Sequence, residues 1–342
     1  MENRIKNYNY QSIDQSLLAP YYKKICSFII QFIPLYVSPN ILTLIGLAGV
    51  LVSTFIVTFL KNTFEFFTIC ALCSLLLFFY QIMDTLDGMQ GRKVGMYYNP
   101  TTELFDHGCD SITTFCTVYN FLNLTEIANN YQIVSIWIAV LSLTNFYMST
   151  WEHSNTGIMH FRKGFLNPTE AIFMVKILYL IIGLFPDFQY DYRANIIILC
   201  GLLLTSFFGF YQSYSNTILN SKKENYNTFI SLTPLIICYV QAIYITVNNI
   251  FTINYMNIVL PMLISILNLI WYEISGNNYR IIPYLLVLIA NLTFSYMGAY
   301  ISIIIYIILF IEYTTIMCNI LGMKYFYTIP NSQPENIKKN EI

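Results

Sequence analysis

Charge is what this sequence has least of: Asp, Glu, Lys and Arg make up 10% of its 342 residues. A soluble domain of ordinary composition carries about 25%, so the deficit, with 56% hydrophobic residues, makes lipid the expected solvent. Net charge is also nearly absent, at −1, and no basic field argues for nucleic acid. Cysteine offers no framework. Cys26, Cys70, Cys73, Cys109, Cys116, Cys200, Cys238 and Cys318 are scattered, mostly in apolar runs, with neither disulfide nor zinc-finger spacing. Cys70 and Cys73 form a CxxC inside an apolar segment, where packing is the expected role. The polar stretch Met1 to Ser16 has no apolar core of the signal-peptide kind. Tyr, Asn and Ile abound, but no low-complexity tract stands apart.

What is abundant is long apolar runs. A helix needs about 20 apolar residues to cross a bilayer, and ten runs qualify as candidates: 41–60, 64–83, 107–125, 132–150, 170–185, 195–213, 228–247, 251–271, 281–294 and 298–318. The expected fold is an all-α polytopic membrane protein. Before the first span, Leu17 to Val37 reads as an amphipathic helix in the interface, with Lys23 and Lys24 on it and Pro34 and Pro39 at its end. With the N-terminus in the cytosol, the cytosolic segments hold Arg4, Lys6, Lys23, Lys24, Arg92, Lys93, Arg162, Lys163, Lys222, Lys223, Arg280, Lys324, Lys338 and Lys339. Lys61 and Arg193 fall on the far side, and Lys176 lies within a span. That asymmetry obeys the positive-inside rule. The longest loops, 84–106 and 151–169, both face the cytosol, and long loops are where function concentrates.

The scarce acids are not spread evenly. The segment MDTLDGMQGRKVGMYYNPTTELFDHGCDS, from Met83 to Ser111, holds Asp84 and Asp87 three residues apart and Asp106 and Asp110 four apart. On helix ends each pair shares a face, and two such ends side by side converge four carboxylates. Carboxylates at a membrane face are costly unless paired or metal-bound, and four together repel unless cations neutralise them. Oxygen ligands without thiolate favour a hard ion, Mg²⁺ or Mn²⁺. Four carboxylates suffice for two such ions, an arrangement suited to phosphoryl transfer. Gly88 and Gly91 let a bulky ligand approach, and Arg92 offers a fork that matches phosphate oxygens.

These residues resemble the signature of the CDP-alcohol phosphatidyltransferase family. The family pattern is DGxxAR, eight residues, then GxxxDxxxD, with an Asp three residues before the first. Here Gly91 stands for the Ala, Thr102 for the second Gly, and nine residues separate Arg92 from Thr102. FIPLYVSPNILTLIG, from Phe32 to Gly46, and ELFDHGCDS, from Glu103 to Ser111, look like the eukaryotic choline/ethanolamine phosphotransferase branch. So does Trp151 to Gly157, similar to that branch's WEEYHTG with His153, Ser154 and Asn155 in place of Glu, Tyr and His. Asn167-Pro168-Thr169-Glu170 resembles its NGPxEG. The specific resemblance covers about 17–170.

The resemblance implies transfer of phosphoethanolamine or phosphocholine from CDP-ethanolamine or CDP-choline to diacylglycerol, releasing CMP. It implies two Mg²⁺ or Mn²⁺ ions on Asp84, Asp87, Asp106 and Asp110, with Asp110 nearest the attacking hydroxyl. His107 is an alternative proton acceptor or an orienter of Asp110. Gly88, Gly91 and Arg92 would hold the cytidine diphosphate. Asn40 either contacts the nucleotide or caps a helix. Glu152 serves the head group or proton transfer, or pairs with Arg162 or Lys163. Glu170 lies on the substrate side, Glu103 is a supporting residue, and Lys176 is either functional or snorkels to the interface. The implied organisation is an N-terminal and interfacial segment at 1–40, a catalytic six-helix core at 41–213, four further helices at 214–320 for dimerisation and lipid access, and a cytosolic tail at 321–342. A homodimer in the endoplasmic reticulum membrane is expected. The competing readings are another CDP-alcohol or acceptor on the same fold, an aromatic-acceptor prenyltransferase, a Mg²⁺ transporter or channel, and a catalytically silent scaffold.

Overall fold

Inside lipid a backbone must satisfy its own hydrogen bonds, so apolar runs fold as helices. The computed structural model describes residues 1–96, 99–164, 167–187, 192–221, 225–248 and 255–323. Lys222, Lys223, the start of the eighth expected span at 251–254, and the tail with Lys324, Lys338 and Lys339 lie outside the described residues. In chain order the elements are α1 (Glu2–Lys6), β1 (Ser12–Asp14), α2 (Ala19–Ile29), α3 (Pro39–Phe55), α4 (Phe66–Val94), α5 (Pro100–Leu124), α6 (Ile127–Asn130) and α7 (Gln132–Thr156). Then follow β2 (Met159–Phe161), α8 (Pro168–Leu184), α9 (Tyr192–Asn220), α10 (Asn225–Ile230), α11 (Thr233–Val247), α12 (Tyr255–Ser275) and α13 (Ile282–Leu321).

The chain is an all-α polytopic membrane protein. Seven helices among the described residues are long and apolar enough to cross a membrane: Pro39–Leu60, Phe66–Val94, Gln132–Thr156, Ile196–Asn220, Asn227–Val247, Tyr255–Ser275 and Met297–Leu321. The other three expected spans are helices of a different kind. α5 carries Asp106, Asp110 and a series of hydroxyl and amide side chains. α8 has only 17 residues. Ile282–Asn291 is a short apolar helix.

That last helix and Met297–Leu321 are two limbs of α13, which doubles back on itself. A Cβ built on Gly298 would lie 2.5 Å from the Asn291 Cα, and Asn291 Nδ2 donates to Ser302 Oγ at 2.7 Å. Eleven residues of straight helix would separate Asn291 and Ser302 by about 16 Å. Glycine at 298 lets the two limbs touch through their backbones. Arg280 and Glu312 then pair across the open end of the hairpin at 3.8 Å.

α12 is the interior of the bundle. Its whole apolar window is buried, and it packs against α5, α7, α11 and α13. The expected boundary at 213/214 falls inside α9, and α12 from the later segment shares one core with α5 and α7 from the earlier one. α3 and α4 pack closely because Gly46 and Gly49 bring Met83 Cβ and the Phe79 ring to 3.0 Å from where a Cβ would stand. The CxxC cysteines are buried and unpaired, in keeping with packing.

The interfacial helix is present and shorter than expected. α2 ends at Ile29 and passes into a 3-10 turn, Ile30–Phe32. Its inner face, Tyr22 and Cys26, packs on Ile82 and Leu86 of α4. Tyr21, Ile25, Phe28 and Phe32 form an exposed apolar stripe at helical spacing, the side that meets lipid. Ahead of it, the N-terminal segment lies as a strap across one end of the bundle. Arg4 pairs with Glu273 at 3.2 Å, and β1 runs parallel to β2 with Ser12 opposite Met159.

Candidate active site

The loop expected at 84–106 is mostly helix. α4 continues to Val94 and stops at Gly95, whose φ of 76° no β-carbon residue adopts easily. Met96 N–H returns to the Gly91 carbonyl at 2.7 Å, closing the C-terminus. α5 opens at once: the Asn99 side chain accepts from Thr101 N–H at 2.9 Å and Pro100 takes the first helical position. This short turn sets the end of α4 against the beginning of α5.

Three carboxylates meet there. Oxygens of Asp84, Asp106 and Asp110 lie within 4.8 Å of one another. Asp87 stands beside them, buried, with Oδ2 accepting from Thr43 Oγ1 of α3 at 2.6 Å. Tyr80, one helical turn before Asp84, donates its phenol to Asp110 Oδ1. Burial pushes the Asp106 carboxyl well above the usual range, and the charges of Asp87, Asp110 and Asp84 add to the rise. Such a group ionises readily only beside a cation. The donor set is all oxygen and faces inward, so Asp84, Asp106 and Asp110, with Asp87 next to them, fit hard divalent ions.

The remaining sequence-predicted residues divide between this cluster and its supports. Gly88 follows the cluster on α4, and the Arg92 guanidinium nitrogens lie 3.8 and 4.0 Å from the position of a Cβ there. Gly91 is buried and Arg92 is exposed. Asn40 is buried in the first turn of α3, but Ser38 occupies the N-cap position, so the capping alternative for Asn40 is excluded. Glu152, at the end of α7, is wholly buried and takes the ion-pair alternative. It binds Arg162, accepts from Asn216 and lies 2.8 Å from His160 Nδ1. Glu170 holds the N-terminal strap, accepting from Ser16 Oγ at 3.0 Å and from Leu17 N–H at 2.5 Å. His107 turns from Asp110 toward α7, where its neighbours are Glu103, Tyr10 and His153. Lys176 does not snorkel. It is buried and donates to Tyr22 of α2 at 2.7 Å and to Gln81 of α4 at 2.6 Å.

Thr43, Tyr80, Tyr8 and Tyr10 are parts of the site that sequence spacing did not single out. Tyr8 lies beside Glu103, whose carboxyl is pushed up to about 8, chiefly by burial, with the Tyr8 hydroxyl opposing the rise.

Comparison with known proteins bears on this geometry. No family model matches the sequence. The chain is 36% identical over 216 residues to an uncharacterized CDP-alcohol phosphatidyltransferase class-I family protein of Dictyostelium discoideum, covering 61% of this chain and 47% of that protein. It is 31% identical over 193 residues to choline/ethanolaminephosphotransferase 1 of Saccharomyces cerevisiae, covering 53% and 46%. It is 31% identical over 201 residues to cholinephosphotransferase 1 of Mus musculus, covering 57% and 48%. Over that part of its length the chain is similar to proteins of the CDP-alcohol phosphatidyltransferase family and to choline/ethanolamine phosphotransferases. It spans about half the length of the curated relatives it matches. Thr102, a departure from the family pattern, and His153, a departure from the choline/ethanolamine phosphotransferase branch's motif, both lie beside Glu103. Thr102 is buried in the first turn of α5 with no hydrogen-bond partner for its hydroxyl. His153 is buried on α7 with its Nδ1 3.4 Å from Glu103 Oε1.

Proposed function

We propose that this protein transfers phosphoethanolamine or phosphocholine from CDP-ethanolamine or CDP-choline to diacylglycerol, giving phosphatidylethanolamine or phosphatidylcholine and CMP. The observation that carries the reading is the convergence of Asp84, Asp106 and Asp110 at the α4–α5 junction, with Asp87 held beside them by Thr43. The named relatives support the choice of a CDP-amino alcohol.

Asp84, Asp87, Asp106 and Asp110 would hold two Mg²⁺ or Mn²⁺ ions. Such ions, when bound, would supply charge neutralisation of the pyrophosphate and of the leaving oxygen. The protein's own groups do the rest. Arg92, exposed beside Gly88, offers its fork to the phosphates, with Gly91 and Asn40 on the nucleotide side. The diacylglycerol hydroxyl oxygen attacks the phosphorus that carries the head-group alcohol. The bond from that phosphorus to CMP breaks, CMP keeps the electron pair, and Asp110 takes the hydroxyl proton. Tyr80, by donating to one Asp110 oxygen, fixes the orientation of the other. Glu152 and Glu170 act at a distance, the first by anchoring Arg162 and the second by anchoring the strap. Residues 41–213 supply the chemistry, and 214–320 complete the core, admit lipid and form a homodimer contact. The site faces the cytosol from the endoplasmic reticulum membrane, in line with the basic residues gathered on that side.

The transporter reading is weaker, because among the described residues Asp84, Asp87, Asp106 and Asp110 gather at the α4–α5 junction and the apolar helices carry no series of acids along a path. Chelation tests the metal-dependent transferase directly. Membranes containing the protein, given labelled CDP-ethanolamine or CDP-choline and diacylglycerol, should lose chloroform-soluble product in EDTA and regain it with Mg²⁺ or Mn²⁺. Transfer at full rate after chelation contradicts the ion-dependent reading.

A further inference from the structure

Beyond its first turn α8 carries one charged residue, Lys176, and the transfer chemistry does not use it. The side chain is 5% exposed. Its ammonium donates to Tyr22 Oη of α2 at 2.7 Å and to Gln81 Oε1 of α4 at 2.6 Å. Around the rest of it stand aromatic faces, with Nζ 4.9 Å from the Phe78 ring centroid and 5.4 Å from that of Phe173. Among the described residues no carboxylate pairs with it. Burying an ammonium without an anion is costly, and an apolar side chain of similar volume would pack there at less cost. What an apolar side chain cannot supply is direction. One ammonium ties α8 to α2 and α4, and Gln81 adds to the knot by donating to the Thr169 carbonyl of α8 at 2.9 Å.

The three helices meet beside the aspartates. Gln81 stands three residues before Asp84 on α4, on the same helix face. Tyr22 and Cys26 of α2 pack on Ile82 and Leu86, two residues to either side of Asp84. Cys26 Sγ lies 3.7 Å from the Ile82 carbonyl oxygen. Past the end of α2 the chain is fastened to α4 separately, where Lys93 Nζ donates to the Ile30 and Ile33 carbonyls at 2.9 and 2.7 Å. Near its start, Lys176 holds it. α2 therefore backs the stretch of α4 that carries Asp84, and Lys176 fixes how closely it does so.

We propose that Lys176 is a positioning residue for the ion site: through Gln81 and Tyr22 it seats α2 and α8 against α4, and so sets where the Asp84 carboxylate stands relative to Asp106 and Asp110. This rests on the aspartates being an ion site. It does not need the identity of the substrates, because ion binding is measured without them.

The test is Mn²⁺ binding to the purified full-length protein in nanodiscs, followed by electron paramagnetic resonance with no substrate present. Lys176→Met should weaken Mn²⁺ binding by on the order of 10–100-fold, the range for losing a group that orients ligands, while the unfolding temperature holds or rises, since a buried lone charge has gone. Tyr22→Phe removes one bond and keeps the ring; it should weaken binding less, and the double variant should be no weaker than Lys176→Met alone. Alkylation of Cys26 by a membrane-permeant maleimide, read by mass spectrometry, should quicken in Lys176→Met as α2 loosens. Mn²⁺ held as tightly by folded Lys176→Met as by the unmodified protein would overturn the proposal, and so would a fall in unfolding temperature with no change in affinity. Unmodified protein that binds no Mn²⁺ would overturn the ion site and this proposal together. Mn²⁺ binding with the predicted losses but no lipid product would overturn the transferase reading and support this one.

Discussion

Asp110 is held by a phenol from the neighbouring helix, and that contact fixes how it can act. Tyr80 donates to one of its oxygens, so the other is presented in a set direction. Tyr80→Phe removes the donor and keeps the ring. The expected result is a 10–100-fold fall in kcat, the range for losing a partner that orients a site group, with KM for the CDP-alcohol nearly unchanged and the protein still folded. Steady-state kinetics on the purified variant give both numbers, and a rise in KM at constant kcat would assign Tyr80 to substrate binding. At this scale the four aspartates were legible, because spacings of three and four residues put them on helix faces whatever the rest of the chain does. Tyr80, Thr43 and His153 were not. Each acts on an aspartate or glutamate from another helix, and spacing within one helix says nothing about which helix lies next door. The same limit explains Glu152. Its neighbour Arg162 was a named possibility, but Asn216, 64 residues on in α9, was out of reach of a local pattern.

Glycines set how closely the elements approach, and Gly108 does so in the middle of the aspartate segment. A Cβ there would stand 2.7 Å from the Phe310 ring of α13, and the Gly108 carbonyl accepts from Tyr306 at 2.7 Å. Gly108→Val should destabilise the protein by about 1–3 kcal/mol through overpacking. Thermal unfolding in micelles would read the loss, and Phe310→Ala should recover part of it. An unchanged unfolding temperature would mean that α13 is not seated on α5 as described. Hydropathy made most of the helices legible, since a long apolar run has one solution in lipid. It located both limbs of α13 as separate runs. It missed that α4 and α5 continue through the supposed loop, because polar helix beyond the bilayer has no apolar period to mark it. The strap's three-residue strand β1 was equally silent. Its pairing comes from β2, which lies some 150 residues later.

The whole molecule is one bundle with its polar machinery at one end. The aspartates, the Glu103 group, the Glu152 network and the strap contacts on Glu170 and Glu273 all gather there, while the Lys61–Glu126 pair at 2.7 Å joins the end of the first span to the start of α6. Under the proposed transfer, such an arrangement would let a water-soluble nucleotide and a bilayer lipid meet without either crossing the membrane. The basic asymmetry in the sequence put segments 84–106 and 151–169 on one side, and Glu103 and His153 from those two segments do meet. It did not anticipate that α12, from the later segment, forms the interior, because a fully buried helix and a lipid-facing one have similar compositions. The central claim is that the aspartate cluster carries out CDP-alcohol transfer. Its most direct measurement is the rate of labelled phosphatidylethanolamine or phosphatidylcholine formation from the matching CDP-alcohol and diacylglycerol, by the unmodified protein and by Asp106→Asn, each shown to be folded. The account predicts transfer by the first and a fall of on the order of 1,000-fold in the second. No product from folded, unmodified protein with either nucleotide, or an undiminished rate in Asp106→Asn, would contradict it.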